Sequence, residues 1–382
     1  RTSVNAFCRC SNRLAYACDP LANAYQEPFM SLEFIGHTST RRGAEVIAAS
    51  GPIIDKAYIK HMAHTAEANG FDRLLIGSFA TWPDNNQIAA YVLHNTARLG
   101  VMLAHRPGFV APTVAARQLA TLDQFSEGRL AVHVISGGTD EDQQRDGYFL
   151  AHDERYARTA EYLTLVKKVW HSERPFDHQG DYYRVKGALS SVKPWQKGGV
   201  PIYFGGSSAV AFEVAGQHAE VYALWGESLA QTAETIANVR QAAAKYGRED
   251  QIKFLLAFRP LVADTEEAAW ARSRELLAAA KAKYPAAPAL HQNIGSQRLR
   301  DAAAQGAVLD QRLWTEFAAV TGAHGNSTAL VGTPQQVADA LLEYHRLGID
   351  KFLIRGFDPV PDTLTFGRDV IPLVRAAVAR HA

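Results

Sequence analysis

The chain has 382 residues, of which 47% are hydrophobic and 21% are charged, and its formal net charge is +1. This composition is typical of a globular protein with a large core, and the near-neutral charge argues against nucleic acid or a membrane surface as a partner. No apolar run reaches the roughly eighteen residues of a membrane-spanning helix. Because no targeting segment is recognisable, we expect the protein in the cytoplasm.

The N-terminal segment differs from the rest. All three cysteines, Cys8, Cys10 and Cys18, lie in the first 18 residues. Without a nearby histidine cluster, a metal site there is the less favoured alternative, and we expect none. Periodic patterns begin at Ser31, directly behind Met30. Residues 1–30 are therefore predicted to be an extension outside the fold, and residues 31–382 to form one domain.

Strand-like and helix-like segments alternate through the first half. A helix predicted over 53–69 ends at Gly70, a second ends at Gly100, and a third begins at Pro112, a favourable first-turn proline, and ends at Gly128. A long helix is predicted from Asp153 to His171. The strands predicted between these helices are LEFIG (32–36), RLLIG (73–77), VMLAH (101–105) and LAVHVIS (130–136).

The second half repeats this alternation. Four further strands are predicted at 201–206, 220–225, 253–263 and 350–357, with an extra strand at 180–187 outside the repeat. Eight strands interleaved with helices predict an α/β fold, a (β/α)8 TIM barrel. The Ala-rich segment 281–333 is predicted to be an insertion before strand eight that covers the active site as a lid. The alternative is a surface excursion without a chemical role.

Candidate site residues follow from the barrel, because chemistry in TIM barrels lies at the C-terminal strand ends. The turn Gly206-Ser207-Ser208 follows strand five and precedes a helix, where free backbone N–H groups suit a phosphate. The alternative is an ordinary serine helix cap. The other strand ends carry His105, Arg106, His133, Ser136, Gly137, Trp225, Arg259 and Arg355.

Four blocks carry a resemblance to a known family. PTVAARQLATLDQFSEGRL, DGYFLAHDERY, PIYFGGSS and TALVGTPQQVAD resemble, in order, blocks of the bacterial luciferase-like flavin monooxygenases. The likeness spans about residues 31–375 and is closest to the two-component alkanesulfonate monooxygenases. It implies a barrel with an insertion before strand eight, reduced FMN as cofactor, O2 as co-substrate, a separate NAD(P)H-dependent flavin reductase as partner, and a homo-oligomer.

The resemblance also implies which residues hold FMN. His152 and Tyr156 match the family's flavin-site histidine and tyrosine, and Tyr156 is expected near the phosphate. The strand-four turn is expected beside the flavin ring, with His133 in place of the usual asparagine. The full set of implied cofactor residues is His133, Ser136, Gly137, His152, Tyr156, Gly206, Ser207 and Ser208.

The substrate side departs from the alkanesulfonate enzymes. Trp82 replaces their cysteine, Ala257 and Arg259 replace an arginine and a histidine, and Phe357 replaces a tyrosine, whereas Trp225 is retained. We interpret Arg106, Arg259 and Arg355 as a grip for an anionic head group, and Phe79, Trp82, Trp225 and Phe357 as aromatic walls. The alternatives are salt bridges within the barrel and ordinary packing.

A proton donor is also needed once the tyrosine is absent. His324, in the insertion, or His105 is the candidate, because histidine titrates near neutral pH. The predicted catalytic residues are thus Trp225, Arg259, His324 and Arg355, and the predicted substrate-binding residues are Phe79, Trp82, Arg106 and Phe357.

Taken together, the sequence predicts a reduced-FMN-dependent monooxygenase acting on a small, anionic organic substrate, such as an alkanesulfonate or a related organosulfur compound. Two alternatives stay open. One is an oxidoreductase on the same barrel that uses a deazaflavin cofactor. The other is a non-enzymatic flavin-binding relative that has lost its catalytic residues.

Overall fold

The computed structural model describes residues 32–136, 139–284, 293–323, 325 and 327–381. The predicted extension, residues 1–30, lies outside the described residues, so its separation from the fold stays a prediction. No helix in the described part of the chain combines the length and the apolar character needed to cross a membrane.

The strands are short and most are buried. They are β1 (Glu33–Thr38), β2 (Arg73–Ile76), β3 (Gly100–His105), β4 (Leu130–Val134), β5 (Phe176–Gln179), β6 (Arg184–Ala188), β7 (Ile202–Gly205), β8 (Val221–Trp225), β9 (Lys253–Phe258), β10 (Leu261–Val262), β11 (Val308–Leu309), β12 (Leu313–Trp314), β13 (Ala329–Gly332) and β14 (Ile349–Ile354).

Helices follow most barrel strands, and side-chain caps begin several of them. Asp55, Asp84 and Ser208 each accept a hydrogen bond from a backbone N–H of the first turn. The helices are α1 (Lys56–Ala68), α2 (Asn85–His94), α3 (Pro112–Phe125), α4 (Asp140–Arg145), α5 (His152–His171), α6 (Ala209–His218), α7 (Leu229–Ala244), α8 (Glu266–Lys283), α9 (Ile294–Gln305), α10 (Glu316–Thr321), α11 (Pro334–Arg346), α12 (Pro359–Thr365) and α13 (Ile371–His381).

Eight parallel strands close into a barrel in the order β1-β14-β9-β8-β7-β4-β3-β2. The predicted (β/α)8 TIM barrel is therefore confirmed. The extra strand predicted at 180–187 is one arm of an antiparallel hairpin, β5–β6, which stands outside the barrel. The first four and last four predicted strands all correspond to barrel strands, with ends that differ by a few residues.

Two predicted boundaries were wrong for local reasons. Helix α2 ends at His94 and not at Leu99, because Glu67 accepts the backbone N–H groups of Ala97, Arg98 and Leu99 and holds them outside the helix. The predicted strand 253–263 divides at Pro260, which has no N–H to donate to a barrel neighbour. Its second part, β10, leaves the barrel.

The predicted insertion, 281–333, contains more regular structure than its composition indicated. It includes α9, α10 and the small strands β11 and β12, and it ends in β13. Strand β13 pairs in parallel with β10 and antiparallel with β12, which forms a four-stranded sheet beside the barrel. This sheet belongs to a second apolar cluster that contains Leu261, Trp314, Phe317 and Phe357.

The barrel interior is layered along its axis. At the N-terminal end, Glu33 accepts hydrogen bonds from Arg73 (2.6 Å), Lys351 (2.6 Å) and the Tyr203 hydroxyl (3.1 Å). Above this network lies an apolar layer with Ile35, Met102, Ala131, Val221, Leu255 and Leu353. The C-terminal strand ends above that layer form the candidate site.

Candidate active site

Small residues line much of the C-terminal end of the barrel interior. Since side chains alternate along a strand, the residues two positions beyond interior Leu75, Met102, Tyr203, Val221 and Leu255 also face inward. These residues are Gly77, Ala104, Gly205, Ala223 and Ala257. Five of the eight strands therefore contribute little side-chain volume at this level, and we call this region of small residues the recess.

Two buried polar atoms at β4 have no hydrogen-bond partner among the described residues, His133 Nδ1 and Ser136 Oγ. His133 faces the recess, because a Cβ atom at Gly205 would lie 3.5 Å from the His133 ring. Burial lowers the pKa of His133 to about 4, so the ring is neutral at neutral pH. A buried polar atom without a partner needs an explanation, and a ligand that lies beside the small residues at this end of the barrel would supply partners for both atoms.

A turn suited to phosphate lies beside this recess. Ser208 caps α6 by accepting a hydrogen bond from Ala211 N–H (3.3 Å), and Gly206 has a positive φ of 148°. A Cβ atom at Gly206 would lie 2.8 Å from the Tyr156 hydroxyl oxygen. Burial raises the pKa of Tyr156, which also hydrogen-bonds Ser208, so Tyr156 stays protonated and can donate. The turn thus offers a hydroxyl donor and a helix N-terminus.

His152 lies at the outer edge of this turn. Its ring centroid is 4.9 Å from that of Tyr156, and its Nδ1 is 2.7 Å from an Asp153 carboxylate oxygen. Half of the His152 side chain is exposed, which leaves it accessible to a ligand. The structure therefore brings together the predicted residues His152, Tyr156, Gly206 and Ser208. Gly137, predicted beside the ring, lies outside the described residues.

Trp225 ends β8 and contacts the insertion. A Cβ atom at Gly295, in the first turn of α9, would lie 3.1 Å from the Trp225 indole and 3.4 Å from Ser207 Oγ. One turn further on, Arg298 donates to both carboxylate oxygens of buried Glu227, at 2.8 and 2.7 Å. Helix α9 is thereby fastened against Trp225 and the Gly206–Ser208 turn.

Arg259 and Arg355 form a basic wall at β9 and β14. Both donate to Glu45, a loop residue that the sequence did not single out, and the Arg259 bond measures 2.8 Å. Arg259 is 1% exposed, and its guanidinium lies 3.8 Å from the centre of the Phe357 ring. Strand β14 stands opposite β4 in the barrel, so this wall faces the His133 side.

Other predicted substrate residues occupy different positions. Phe357 is 1% exposed and packs between Arg259 and Phe317, in the second apolar cluster. Arg106 does not join the basic wall, because its guanidinium binds Asp146 (2.9 Å) and lies 3.7 Å from Asp142. These contacts match the alternative interpretation of Arg106, which is a salt bridge within the protein.

Phe79 and Trp82 form an exposed aromatic pair in the loop after β2. Their ring centroids are 4.8 Å apart, and the residues are 52% and 41% exposed. The loop is tied down by a hydrogen bond from Ala80 N–H to Asp142 (3.0 Å). This exposed aromatic pair at the C-terminal end of the barrel is available to a substrate.

The two proposed proton donors differ in what can be said of them. His324 lies outside the described residues. His105 is buried and bonds the Tyr162 hydroxyl on α5 (2.8 Å), so its ring faces the surrounding helices and not the recess. His37, which the sequence did not single out, faces inward two residues beyond Ile35. Burial and the nearby charge of Arg355 lower the pKa of His37 to about 3.

The fold is shared with several solved structures. Riboflavin lyase (RcaE), solved with modified FMN and riboflavin, is 24% identical, with 91% of this chain and 92% of that chain covered and a TM-score of 0.74. EDTA monooxygenase (EmoA) from Chelativorans sp. BNC1 is 20% identical, with 91% and 94% covered and a TM-score of 0.74. An F420-dependent secondary alcohol dehydrogenase is 17% identical, with 90% and 99% covered and a TM-score of 0.67.

Sequence comparison places the chain more closely than these folds do. The model of the luciferase-like monooxygenase family matches residues 32–351, which is most of the chain and nearly all of the barrel. The matched region includes the turn after β4, the Gly206–Ser208 turn after β7, Trp225 and Arg259. The protein therefore belongs to the luciferase-like monooxygenase family.

Proposed function

We propose that this protein is a reduced-FMN-dependent monooxygenase that acts with O2 on a small, anionic organic molecule, such as an alkanesulfonate or a related organosulfur compound. The observation that supports the cofactor best is the pair of unpartnered buried atoms, His133 Nδ1 and Ser136 Oγ, beside a recess of Gly and Ala residues. A flat heterocycle with hydrogen-bonding edges fits that combination of volume and polarity.

The residues that would hold the cofactor form two groups. Tyr156, Gly206, Ser207 and Ser208 would bind its phosphate, with His152 at the outer edge. His133, Ser136 and Gly137 would contact the ring. Reduced FMN, when bound, supplies the activation of O2 that the amino-acid side chains cannot provide.

The chain's other residues would bind substrate and exclude water. We propose that Arg355 and Arg259 hold the anionic group of the substrate, while Trp225, Phe79 and Trp82 contact its apolar part. Phe357 would hold Arg259 in position, because the Arg259 guanidinium lies 3.8 Å from the centre of the Phe357 ring. His324 is proposed to carry a proton. Arg106 is proposed to position α4 and its C-cap through contacts with Asp142 and Asp146.

The insertion is proposed to act as a lid. Its helix α9 contacts both Trp225 and Ser207, which belong to the substrate and the cofactor groups respectively. A lid in this position would keep water from the reacting atoms. We also propose that a separate NAD(P)H-dependent flavin reductase supplies reduced FMN, and that the protein is a cytoplasmic homo-oligomer.

A deazaflavin-dependent oxidoreductase is the second candidate function. The fold similarity to an F420-dependent secondary alcohol dehydrogenase favours keeping it. Such an enzyme would transfer a hydride and would not consume O2. A non-enzymatic flavin-binding protein is the remaining alternative.

One set of measurements separates these functions. The purified protein is titrated anaerobically with reduced FMN, oxidised FMN and reduced F420, and binding is followed by fluorescence. Reduced FMN, a flavin reductase, NADPH and O2 are then supplied with C1–C8 alkanesulfonates, and sulfite is measured. Preferential binding of reduced FMN with sulfite release supports the proposal. Preferential binding of F420 contradicts it, and tight binding of oxidised FMN without substrate turnover favours the non-enzymatic alternative.

A further inference from the structure

The basic wall has an unusual internal partner. Glu45 lies in the loop between β1 and α1, and its two carboxylate oxygens accept separately from Arg259 Nη2 (2.8 Å) and from Arg355 Nη2. The loop has neither helix nor strand from residue 39 to residue 55. A carboxylate bridging two guanidinium groups has the geometry of a bound organic anion.

The wall carries more positive charge than Glu45 neutralises. Two guanidinium groups share one carboxylate, and buried Arg259 Nε has no hydrogen-bond partner among the described residues. Asp362, another carboxylate whose charge acts on Arg259, is bound by Arg272 (2.6 Å) and by two backbone N–H groups. Burial and the positive charge of Arg355 lower the pKa of Arg259 to about 10, which agrees with an excess of positive charge.

A cavity about the size of one water molecule adjoins this wall. A small cavity of about 30 Å³ lies between the Glu45 loop and the end of β14. Its lining includes Arg355, His37, Ser39, Tyr58 and the backbone of Gly43 and Gly356. Arg355 is the reachable member of the pair, with 29% of its side chain exposed.

We propose that Glu45 is an internal mimic of the substrate. Its carboxylate binds Arg259 and Arg355 at the site where the oxyanion group of the substrate would bind. The Glu45 carboxylate is displaced when substrate binds. The ligand class is a small organic oxyanion, a sulfonate or a carboxylate. The identity of the substrate rests on the proposed function, whereas the presence of an anion-binding site at Arg259 and Arg355 does not.

This arrangement would make anion binding competitive with Glu45. An intramolecular group competes at an effective concentration in the millimolar range or above, so small anions without further contacts bind weakly while Glu45 is present. An anion that also contacts the aromatic residues, and so displaces Glu45, is favoured. Without substrate, Glu45 would compensate the charge of buried Arg259 and of half-buried Arg355.

The test uses calorimetric titration of the flavin-free protein with sodium methanesulfonate, acetate and phosphate at constant ionic strength. Glu45→Gln should bind methanesulfonate or acetate roughly tenfold or more tightly than wild type. The double variant Glu45→Gln/Arg355→Gln should lose that gain. Glu213→Gln, which removes a carboxylate from an exposed pair with Lys245, is the matched control and should bind as wild type does.

The outcomes are distinct. Unchanged anion affinity in folded Glu45→Gln, or an equal gain in Glu213→Gln, would overturn the proposal. Tighter methanesulfonate than acetate indicates a sulfonate ligand, and the reverse order indicates a carboxylate. If Glu45→Gln does not fold, Glu45→Asp tests the same idea. The shorter side chain should no longer reach Arg355, so this variant should bind anions more tightly than wild type. FMN binding takes no part in these titrations, so failure of the proposed function would not affect them.

Discussion

At each end of the barrel one glutamate pairs with two cationic side chains, but the two networks differ in how completely their donors are bonded. At the N-terminal end, Glu33 binds Arg73 and Lys351, and the Tyr203 hydroxyl completes the network. At the C-terminal end, Glu45 binds Arg259 and Arg355, but Arg259 Nε stays unpartnered among the described residues. The first network is closed and stabilises the fold, whereas the second keeps donors that a ligand can satisfy.

The ends also differ in side-chain volume. Long side chains fill the N-terminal layer, whereas Gly77, Ala104, Gly205, Ala223 and Ala257 leave the C-terminal layer open. Substitutions at the N-terminal end should therefore change stability without changing ligand binding. Substitutions at the C-terminal end should change ligand binding without destabilising the protein at neutral pH, and the four predictions below test that division.

Glu33→Gln should have the largest effect on stability. It leaves the positive charges of Arg73 and Lys351 uncompensated inside the barrel, and we expect the free energy of unfolding to fall by roughly 3 kcal/mol. Burial alone would raise the pKa of Glu33, but Arg73 and Lys351 outweigh it and lower the pKa to about 2. The stabilisation is therefore complete above about pH 4.5 and is lost as the pH falls toward 2.

Urea unfolding at pH 7 and pH 3 measures both effects. Glu213→Gln is the control, because its exposed pair with Lys245 contributes roughly 0–1 kcal/mol. FMN affinity of folded Glu33→Gln should equal that of wild type. A large loss of FMN affinity there would break the proposed division between the two ends.

Gly206→Ala should have the largest effect on the cofactor. The added Cβ atom would lie 2.7 Å from Ala211 Cβ and 2.8 Å from the Tyr156 hydroxyl oxygen, and the backbone has a φ of 148°. We expect FMN affinity to fall by roughly a hundredfold, or about 2.7 kcal/mol, because the turn must open. Gly198→Ala is the control, since nothing lies within 4 Å of its added Cβ atom. Equal affinities in a fluorescence titration would contradict the phosphate assignment.

His133→Asn should flatten the pH dependence of stability. The folded-state pKa of His133 is about 4 against an ordinary 6.5, so the unfolded chain binds the extra proton and stability falls as the pH drops from 6.5 to 4. Removing the ring should reduce that loss by up to about 3 kcal/mol. Thermal unfolding across this range provides the measurement, with the exposed His61→Asn as control. Parallel profiles for both variants and wild type would show that His133 is not the titrating group.

Ser136→Ala should have the smallest effect, with opposite signs for stability and binding. Removing an unpartnered buried hydroxyl should stabilise the flavin-free protein by about 1 kcal/mol and weaken FMN binding several-fold. Ser190→Ala removes a buried hydroxyl that donates to Val192 O (2.8 Å), so it should destabilise the protein and leave FMN affinity unchanged. The same sign of stability change in both variants would contradict the ligand role of Ser136.

The barrel was predictable from the sequence because its signals are local. Apolar runs such as VMLAH and LAVHVIS, separated by helices that end at glycines, identify strands without knowledge of their partners. The four-stranded sheet was not predictable. Strand β10 pairs with β13 about 70 residues further along the chain, and each has only two to four residues. Helix α4 was also missed, in a segment dominated by acidic residues.

The sequence by itself determined the barrel and the family, because both depend on patterns of residues close together in the chain. Only the tertiary structure decided which charges meet. Glu45 reaches Arg259 across 214 residues and Arg355 across 310. It lies in an irregular loop without a periodic pattern, so two strand-end arginines that look free in the sequence acquire a shared partner. Ion pairing depends on distance in space, and barrel closure brings these three residues together.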